Sequence, residues 1–260
     1  MKNTLLILLS NALLLSLLLA PLASAATESR TSESAFTPVE KSRHADFMKQ
    51  IKAGNGDFSF VLLGDSITDG WTNKAKETYA QFAPWKPLDL GVSGETTEEL
   101  LWRIMNGELD GYQAKVVMIM IGTNNLGHYG DERPEWVAAG IKKIIETVRA
   151  KQPQAKILLL AIFPRSATTQ DAIRQKVDAT NKLLPALADD KNVFFLDIGS
   201  KFTDAQGNLP KTLMPDLLHP NADGYRVWIN AVKPKLEELM GSPLAAESAS
   251  ANTPMTSSAK

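Results

Sequence analysis

The sequence predicts an α/β fold in which a mostly parallel sheet carries helices on both of its faces. Two observations lead there. Five short apolar runs, most of them rich in β-branched residues, recur along the chain, and amphipathic segments of helical period separate them. Strands joined through helices in this way need right-handed crossovers, and ligands of such sheets bind beyond the strands' carboxyl ends, where the strand order reverses.

The elements follow in order. Over Val39 to Ala53, Phe47, Met48 and Ile51 fall at helical spacing, and Gly54-Asn55-Gly56 stops the helix. Phe58 to Leu63 is the first strand, and Gly64-Asp65-Ser66 then forces a tight turn that leaves the Ser66 hydroxyl at the strand's carboxyl end. The other strands are expected at Pro87 to Leu90, Val116 to Ile121, Ile157 to Ile162 and Val193 to Ile198. Thr96-Thr97-Glu98-Glu99 fits a capping box, followed by an apolar face of Leu100, Leu101, Ile104 and Met105. Pro134 suits a first helical position, and Val137, Ile141, Ile144, Ile145 and Val148 continue the period to Lys151. Ile173, Val177, Thr180 and Leu184 mark another helix that ends near Pro185. The last runs from Ala222 to Met240, with Tyr225, Trp228, Ile229, Val232, Leu236 and Leu239 inward and a kink expected at Pro234.

Both ends of the 260-residue chain read differently. Residues 1–25 have the form of a secretory signal peptide: Lys2, a leucine-dominated run from Leu5 to Leu19, Pro21, and Ala23-Ser24-Ala25-Ala26 for cleavage after Ala25. The alternative is an uncleaved anchor, against which Ser10, Asn11 and Ser16 interrupt a run already short for spanning. The mature protein is therefore expected to be secreted or periplasmic, with no stable membrane span after processing. Residues 26–38, rich in Ser, Thr and Glu, form a flexible lead-in, and residues 242–260 a disordered tail. Between them, 39–241 makes one domain, and about 200 residues bury a core without disulfides, in keeping with the absence of cysteine. With 28 Lys+Arg against 29 Asp+Glu and no basic run interleaved with aromatics, nucleic acid is not an expected partner.

A serine nucleophile needs a base and a set of fixed donors for the charge of the attacked carbonyl. The chain holds three histidines. His44 lies in the first helix, ahead of the sheet, where a solvated or packing role is the natural one. His128 follows the third strand and is a candidate to touch a ligand, against the plainer role of a surface loop histidine. His219 stands in Asp216-Leu217-Leu218-His219-Pro220-Asn221, so that one short loop supplies an imidazole and a carboxylate to orient it. Alone the pattern is weak, since Asp216 also suits a turn and Asn221 a helix cap. The candidate donors are the Ser66 amide, the Gly94 amide after the second strand and the Asn124 side-chain amide after the third.

Four ordered blocks, Gly64-Asp65-Ser66-Ile67-Thr68, Gly91-Val92-Ser93-Gly94-Glu95-Thr96-Thr97, Gly122-Thr123-Asn124-Asn125 and Asp216-Leu217-Leu218-His219-Pro220, resemble those of the SGNH (GDSL-type) hydrolases. Within that superfamily the chain is most similar to the branch of the platelet-activating-factor acetylhydrolase catalytic subunits and secreted bacterial esterases, from about Asp57 to about Leu239. The resemblance implies the three-layer α/β/α, flavodoxin-like SGNH hydrolase fold on a five-stranded parallel sheet. It implies Ser66 as nucleophile and first oxyanion donor, Gly94 and Asn124 as the other donors, His219 as base and Asp216 as its orienting carboxylate. Two positions depart from the usual pattern: Asn125 stands where most members have aspartate, and Asp89 where the second block usually opens with asparagine. The α/β-hydrolase alternative is set aside because its nucleophile elbow needs glycine where Thr68 stands.

The function this implies is a secreted serine esterase that cleaves short-chain, above all acetyl, carboxylic esters of a carbohydrate or other small alcohol, with no metal or organic cofactor. Asp65, Asn125, His128 and Trp71 are candidates for substrate contact, and Trp71, Trp85 and Trp102 for stacking on a sugar ring. A lysophospholipase or lipase-type acylhydrolase is the competing enzyme reading. A non-catalytic binder of flavin or carbohydrate on the same scaffold is the reading of another class, although the loop after Leu63 lacks a phosphate-binding cluster. Oligomeric state is not encoded in any of these features.

Overall fold

A computed structural model describes residues 41–246; the expected signal peptide and lead-in, and the tail from 247 on, lie outside the described residues. Five strands form one sheet: β1 (Phe60–Gly64), β2 (Pro87–Gly91), β3 (Val116–Met120), β4 (Lys156–Leu160) and β5 (Val193–Leu196). All neighbours pair in parallel, in the order β2-β1-β3-β4-β5. The chain moves from β1 outward to β2, then returns to lay β3 on the other side of β1. That reversal is the crevice where ligands of open α/β sheets bind. Register sharpens the placement: Gly64 pairs with Gly91 on one side and Met120 on the other, so three loops leave the sheet at one edge.

The helices are α1 (Lys41–Ala53), α2 (Ser66–Asn73), α3 (Lys76–Tyr79), α4 (Thr97–Arg103), α5 (Thr123–His128), α6 (Pro134–Lys151), α7 (Ala172–Asn181) and α8 (Ala222–Met240). Alternation along the strands sends side chains to two cores. Val61, Leu63, Leu88, Leu90, Val117 and Ile119 pack with Phe47 of α1, Leu100 of α4, Ile141 of α6 and Val177 of α7. Phe60, Leu62, Val116, Met118 and Met120 pack with Trp71 of α2 and with Trp228, Ile229 and Val232 of α8. Burial on both faces explains why the strands read as continuous apolar runs.

The architecture is the three-layer α/β/α sandwich expected from the sequence, with strand ends within two residues of the expected ones. Local differences have physical causes. The α4 helix ends at Arg103 and passes into a wider turn over Ile104–Glu108, broken at Gly107 (φ 111), so Met105 lies exposed instead of continuing the apolar face. The α8 helix runs as one element across Pro234. Residues 242–246 are not a disordered tail: Trp85 Nε1 donates to Ser242 Oγ at 2.9 Å, Ala245 N donates to the Gln81 carbonyl at 3.0 Å, and the Leu244 side chain is buried.

Candidate active site

Ser66 is the first residue of α2, and the local sequence dictates that position. Asp65 caps the helix, its Oδ1 accepting the Ile67 amide at 2.9 Å, which turns the chain sharply from strand to helix. Gly64 permits the close approach this turn needs, since a Cβ there would sit 2.1 Å from Thr68 Oγ1 and 2.5 Å from the Met120 carbonyl. From α8, Tyr225 Oη donates to the Ile67 carbonyl at 2.6 Å and fixes the start of α2 against the helix that follows His219.

The structure brings Ser66, His219 and Asp216 into line. Ser66 Oγ lies 2.8 Å from His219 Nε2, and His219 Nδ1 lies 2.7 Å from Asp216 Oδ2. A carboxylate only accepts, so Nδ1 carries the hydrogen and Nε2 presents its lone pair to the Ser66 hydroxyl. Asp216 Oδ1 accepts the backbone amides of Leu218 at 3.1 Å and His219 at 2.7 Å. Partial burial works to raise the Asp216 carboxyl, yet the His219 amide and ring and the Leu218 amide outweigh it and hold the group at about 2. The loop is also gripped from the β4 side: Ser166 N donates to the Leu217 carbonyl at 2.9 Å, and both residues adopt left-handed backbone (φ 65 and 62).

The other two loops of the edge carry the candidate donors. Gly94 has φ 83, a conformation that a side chain strains, and among the described residues a Cβ there meets nothing within 4 Å. Backbone conformation, not crowding by the protein, is what calls for glycine. Asn124, the second residue of α5, directs Nδ2 to the Glu95 carbonyl at 2.9 Å, which spends one of its two amide hydrogens and ties the third loop to the second.

Several expected contact residues lie elsewhere. Trp71 is fully buried among Phe82, Tyr225 and Trp228, at ring distances of 5.3, 4.7 and 4.8 Å, and so belongs to the core and not to a ligand surface. Trp85 is buried on Phe60, and Trp102 packs edge-on to His44 at 5.1 Å. Asn125 is buried as well: its Oδ1 accepts Thr97 N at 3.0 Å, and its Nδ2 donates to Thr97 Oγ1 and Glu98 Oε2 at 2.9 and 2.8 Å. It joins the starts of α4 and α5. Asp65 is buried beneath the turn, and burial raises its carboxyl to about 7, against the Ile67 amide and the Arg165 guanidinium. His128 ends α5 with an exposed ring, edge-on to Tyr129.

Sequence reasoning passed over Arg165. Its Nη1 donates to the Thr123 carbonyl at 2.8 Å, and it lines a cavity of about 400 Å³ with Ser166, Asp171, Asp216, Leu217 and Leu218. The Pro-Arg pair that ends the β4 segment, a charged residue directly after a buried run at the sheet's carboxyl edge, was the available signal. Among the described residues no cluster of three or more histidine, aspartate or glutamate side chains is placed to hold a metal ion.

Taken with the known proteins it resembles, this arrangement is that of a carboxylic ester hydrolase. The chain belongs to the GDSL-like lipase/acylhydrolase family, whose model matches residues 62–227. Among its relatives are platelet-activating factor acetylhydrolase IB subunit alpha2 of Rattus norvegicus, 36% identical over 189 residues (71% of this chain, 77% of that one), and subunit alpha1 of Bos taurus, 33% identical over 181 residues (69% and 75%). Solved structures with the same fold include a GDSL-like lipase from Bacteroides thetaiotaomicron, with TM-score 0.64 and 20% identity over 75% of this chain and 97% of that one. Another is the acetylxylan esterase Axe2 from Geobacillus stearothermophilus, with TM-score 0.57 and 20% identity over 74% and 100%.

Proposed function

We propose that the protein is an exported serine esterase that removes short acyl groups, acetyl above all, from a carbohydrate or other small alcohol through an acyl-enzyme. The observation that carries this reading is the 2.8 Å approach of Ser66 Oγ to a His219 ring whose far nitrogen is held by Asp216. Ser66 Oγ attacks the ester carbonyl while His219 Nε2 takes its proton; the Ser66 and Gly94 amides and the Asn124 side chain stabilise the oxyanion. Collapse expels the alcohol, which takes the proton back from His219. Water then attacks the acyl carbonyl, giving its proton to His219; the bond to Ser66 Oγ breaks, Oγ takes that proton back, and the acid leaves.

The preference for short acyl groups draws on two supports. The relatives are named as acetylhydrolases and one structural neighbour as an acetylxylan esterase, and the cavity beside Asp216 is lined by charged and polar side chains as much as by apolar ones. The lipase reading draws on the family name and predicts the opposite dependence on chain length. Replacing Ser66→Ala is expected to abolish turnover, a loss on the order of 10⁴-fold or more in kcat. Wild-type rates on acetyl, butyryl and longer nitrophenyl esters, and on acetylated xylose, are expected to fall with chain length; a rise would favour the lipase reading, and full activity in the alanine variant would end both. Export rests on residues 1–25; among the described residues no helix is long and apolar enough to cross a membrane. The exported chain is expected to begin at Ala26 when its N-terminus is sequenced.

A further inference from the structure

The loop from β2 to α4, which carries Gly94, is fastened near both ends to one side chain. Arg103, fully buried, donates Nε to Glu95 Oε1 at 2.7 Å and Nη2 to Glu95 Oε2 at 2.6 Å, while the same Nη2 donates to the Leu90 carbonyl at 2.9 Å. Its Nη1 donates to Glu108 Oε2, and Glu108 Oε1 lies 2.8 Å from His44 Nδ1. The Phe47 ring faces the guanidinium at 5.5 Å, which leaves the in-plane donors to the carboxylates and carbonyl. The backbone of Glu95 in turn accepts the Asn124 side-chain amide.

We propose that Arg103 is a positioning residue for the oxyanion donors, holding the Gly94 amide through both ends of its loop and the Asn124 amide through Glu95. This rests on the esterase reading for its kinetic consequence. Stability alone is a poor reason for such a cluster, because buried ion pairs are often matched or bettered by apolar residues of similar volume. Geometry is a better one. A planar fork that binds one carboxylate through two nitrogens fixes direction as well as distance, which a lysine ammonium cannot do. Donors lower the barrier only if they already point at the site of developing charge, so a slackened loop loses transition-state binding and leaves ground-state binding nearly intact.

The test is Arg103→Lys in the full mature chain, with kcat and KM on nitrophenyl acetate and the inhibition constant of a trifluoromethyl ketone, whose adduct with a serine carries an oxyanion. The expected result is kcat lower by about 10- to 100-fold, KM within about threefold of wild type, and ketone affinity falling in step with kcat. Asp110→Ala, which removes the exposed ion pair with Lys151, serves as a control and is expected to leave all three unchanged. In the ligand-free protein, the Gly94 amide and Asn124 carboxamide NMR resonances are expected to shift and broaden in Arg103→Lys; this readout stands even if the wild type hydrolyses no ester, which would sink the esterase reading alone. A folded Arg103→Lys with kcat within twofold of wild type, a loss confined to KM, or unmoved Gly94 and Asn124 resonances would overturn the proposal. If that variant does not fold, Glu95→Gln decides: kcat is expected to fall about tenfold with KM kept, and an unchanged kcat overturns it.

Discussion

The segment that carries His219 and the loop that carries Gly94 meet at one edge of the sheet, but they are held by different means. His219 and Asp216 have side chains 24% and 56% exposed, and their order comes from backbone amides within a single turn. Arg103, Glu95 and Glu108 have side chains 3% exposed or less and are ordered by one another across the loop after β2, α4 and the turn after it, with the Leu90 carbonyl of β2 and His44 of α1 completing the contacts. A base that must gain and lose a proton in each half-reaction needs water and a small cost for changing charge. Donors that only receive a transient charge need rigidity, which long-range buried contacts supply.

The largest effect is expected on the exposed side. Asp216→Asn keeps an acceptor for the Leu218 and His219 amides, so the loop keeps its path, but it sets an NH₂ or a neutral oxygen against Nδ1. The ring then loses the partner that fixes its tautomer and stabilises its charged form. kcat is expected to fall on the order of 10³-fold or more with the melting temperature nearly kept. Because the Asp216 carboxyl is held down at about 2, its stabilising contribution is present above the ordinary aspartate range and is lost only as the pH falls through about 2. Asp216 therefore stays ionised across the working range. A variant retaining a tenth of wild-type kcat would show that the carboxylate is ornamental.

A smaller effect is expected from the donors. Asn124→Ala removes the proposed hydrogen bond to the oxyanion and takes the Asn124 donor from the Glu95 carbonyl. The expected loss is about 10²-fold in kcat, close to 3 kcal/mol, with KM little changed. If Arg103 acts partly through Asn124, combining Asn124→Ala with Arg103→Lys costs clearly less than the product of the two single losses. Full additivity would mean that the buried cluster and the Asn124 amide serve separate ends.

The same contrast explains what could be read from the sequence. The Asp216–His219 pair is contiguous, and Ser66 follows a recognisable strand and turn, so short patterns contain both. The sheet was legible because strands buried on both faces leave apolar runs bounded by turn residues. Arg103 and Glu108 were not, since charged residues at a helix end read as a solvated face, and nothing local announces that His44 on α1 completes their cluster. Trp71 misleads for a related reason: an aromatic one turn beyond the proposed nucleophile suggests a ligand surface, yet the helix carries it round to the core beside Trp228. Asn125 sits next to a proposed donor in sequence, but the helical turn points it at Thr97 and Glu98. Ser242, Leu244 and Ala245 depend on partners in Trp85, Glu237 and Gln81 that composition does not reveal.

The smallest expected effect tests whether the buried side is as dry as its geometry implies. Asp89, on β2, accepts the Gly91 amide with Oδ1 at 2.9 Å, while its Oδ2 is buried with no partner among the described residues. Burial raises its carboxyl to about 7, the Gly91 amide pulls it back, and Asp69 adds to the rise against Arg43 and Arg103. A carboxyl raised on folding holds a proton that the unfolded chain gives up near pH 4, so its contribution is whole below about 4 and is lost as the pH rises toward about 7. Asn in its place accepts the same amide without titrating. Asp89→Asn is expected to leave stability at pH 5 nearly unchanged, to raise it by about 1–2 kcal/mol at pH 8, and to keep kcat within about threefold. Urea midpoints of both proteins at the two pH values decide it. Asp65 and Glu95, also raised to about 7 by burial, keep part of the wild-type slope in the variant. Equal slopes in the two proteins would mean that water reaches Asp89, and the contrast between a wet base and dry donors would then have to be redrawn with β2 on the wet side.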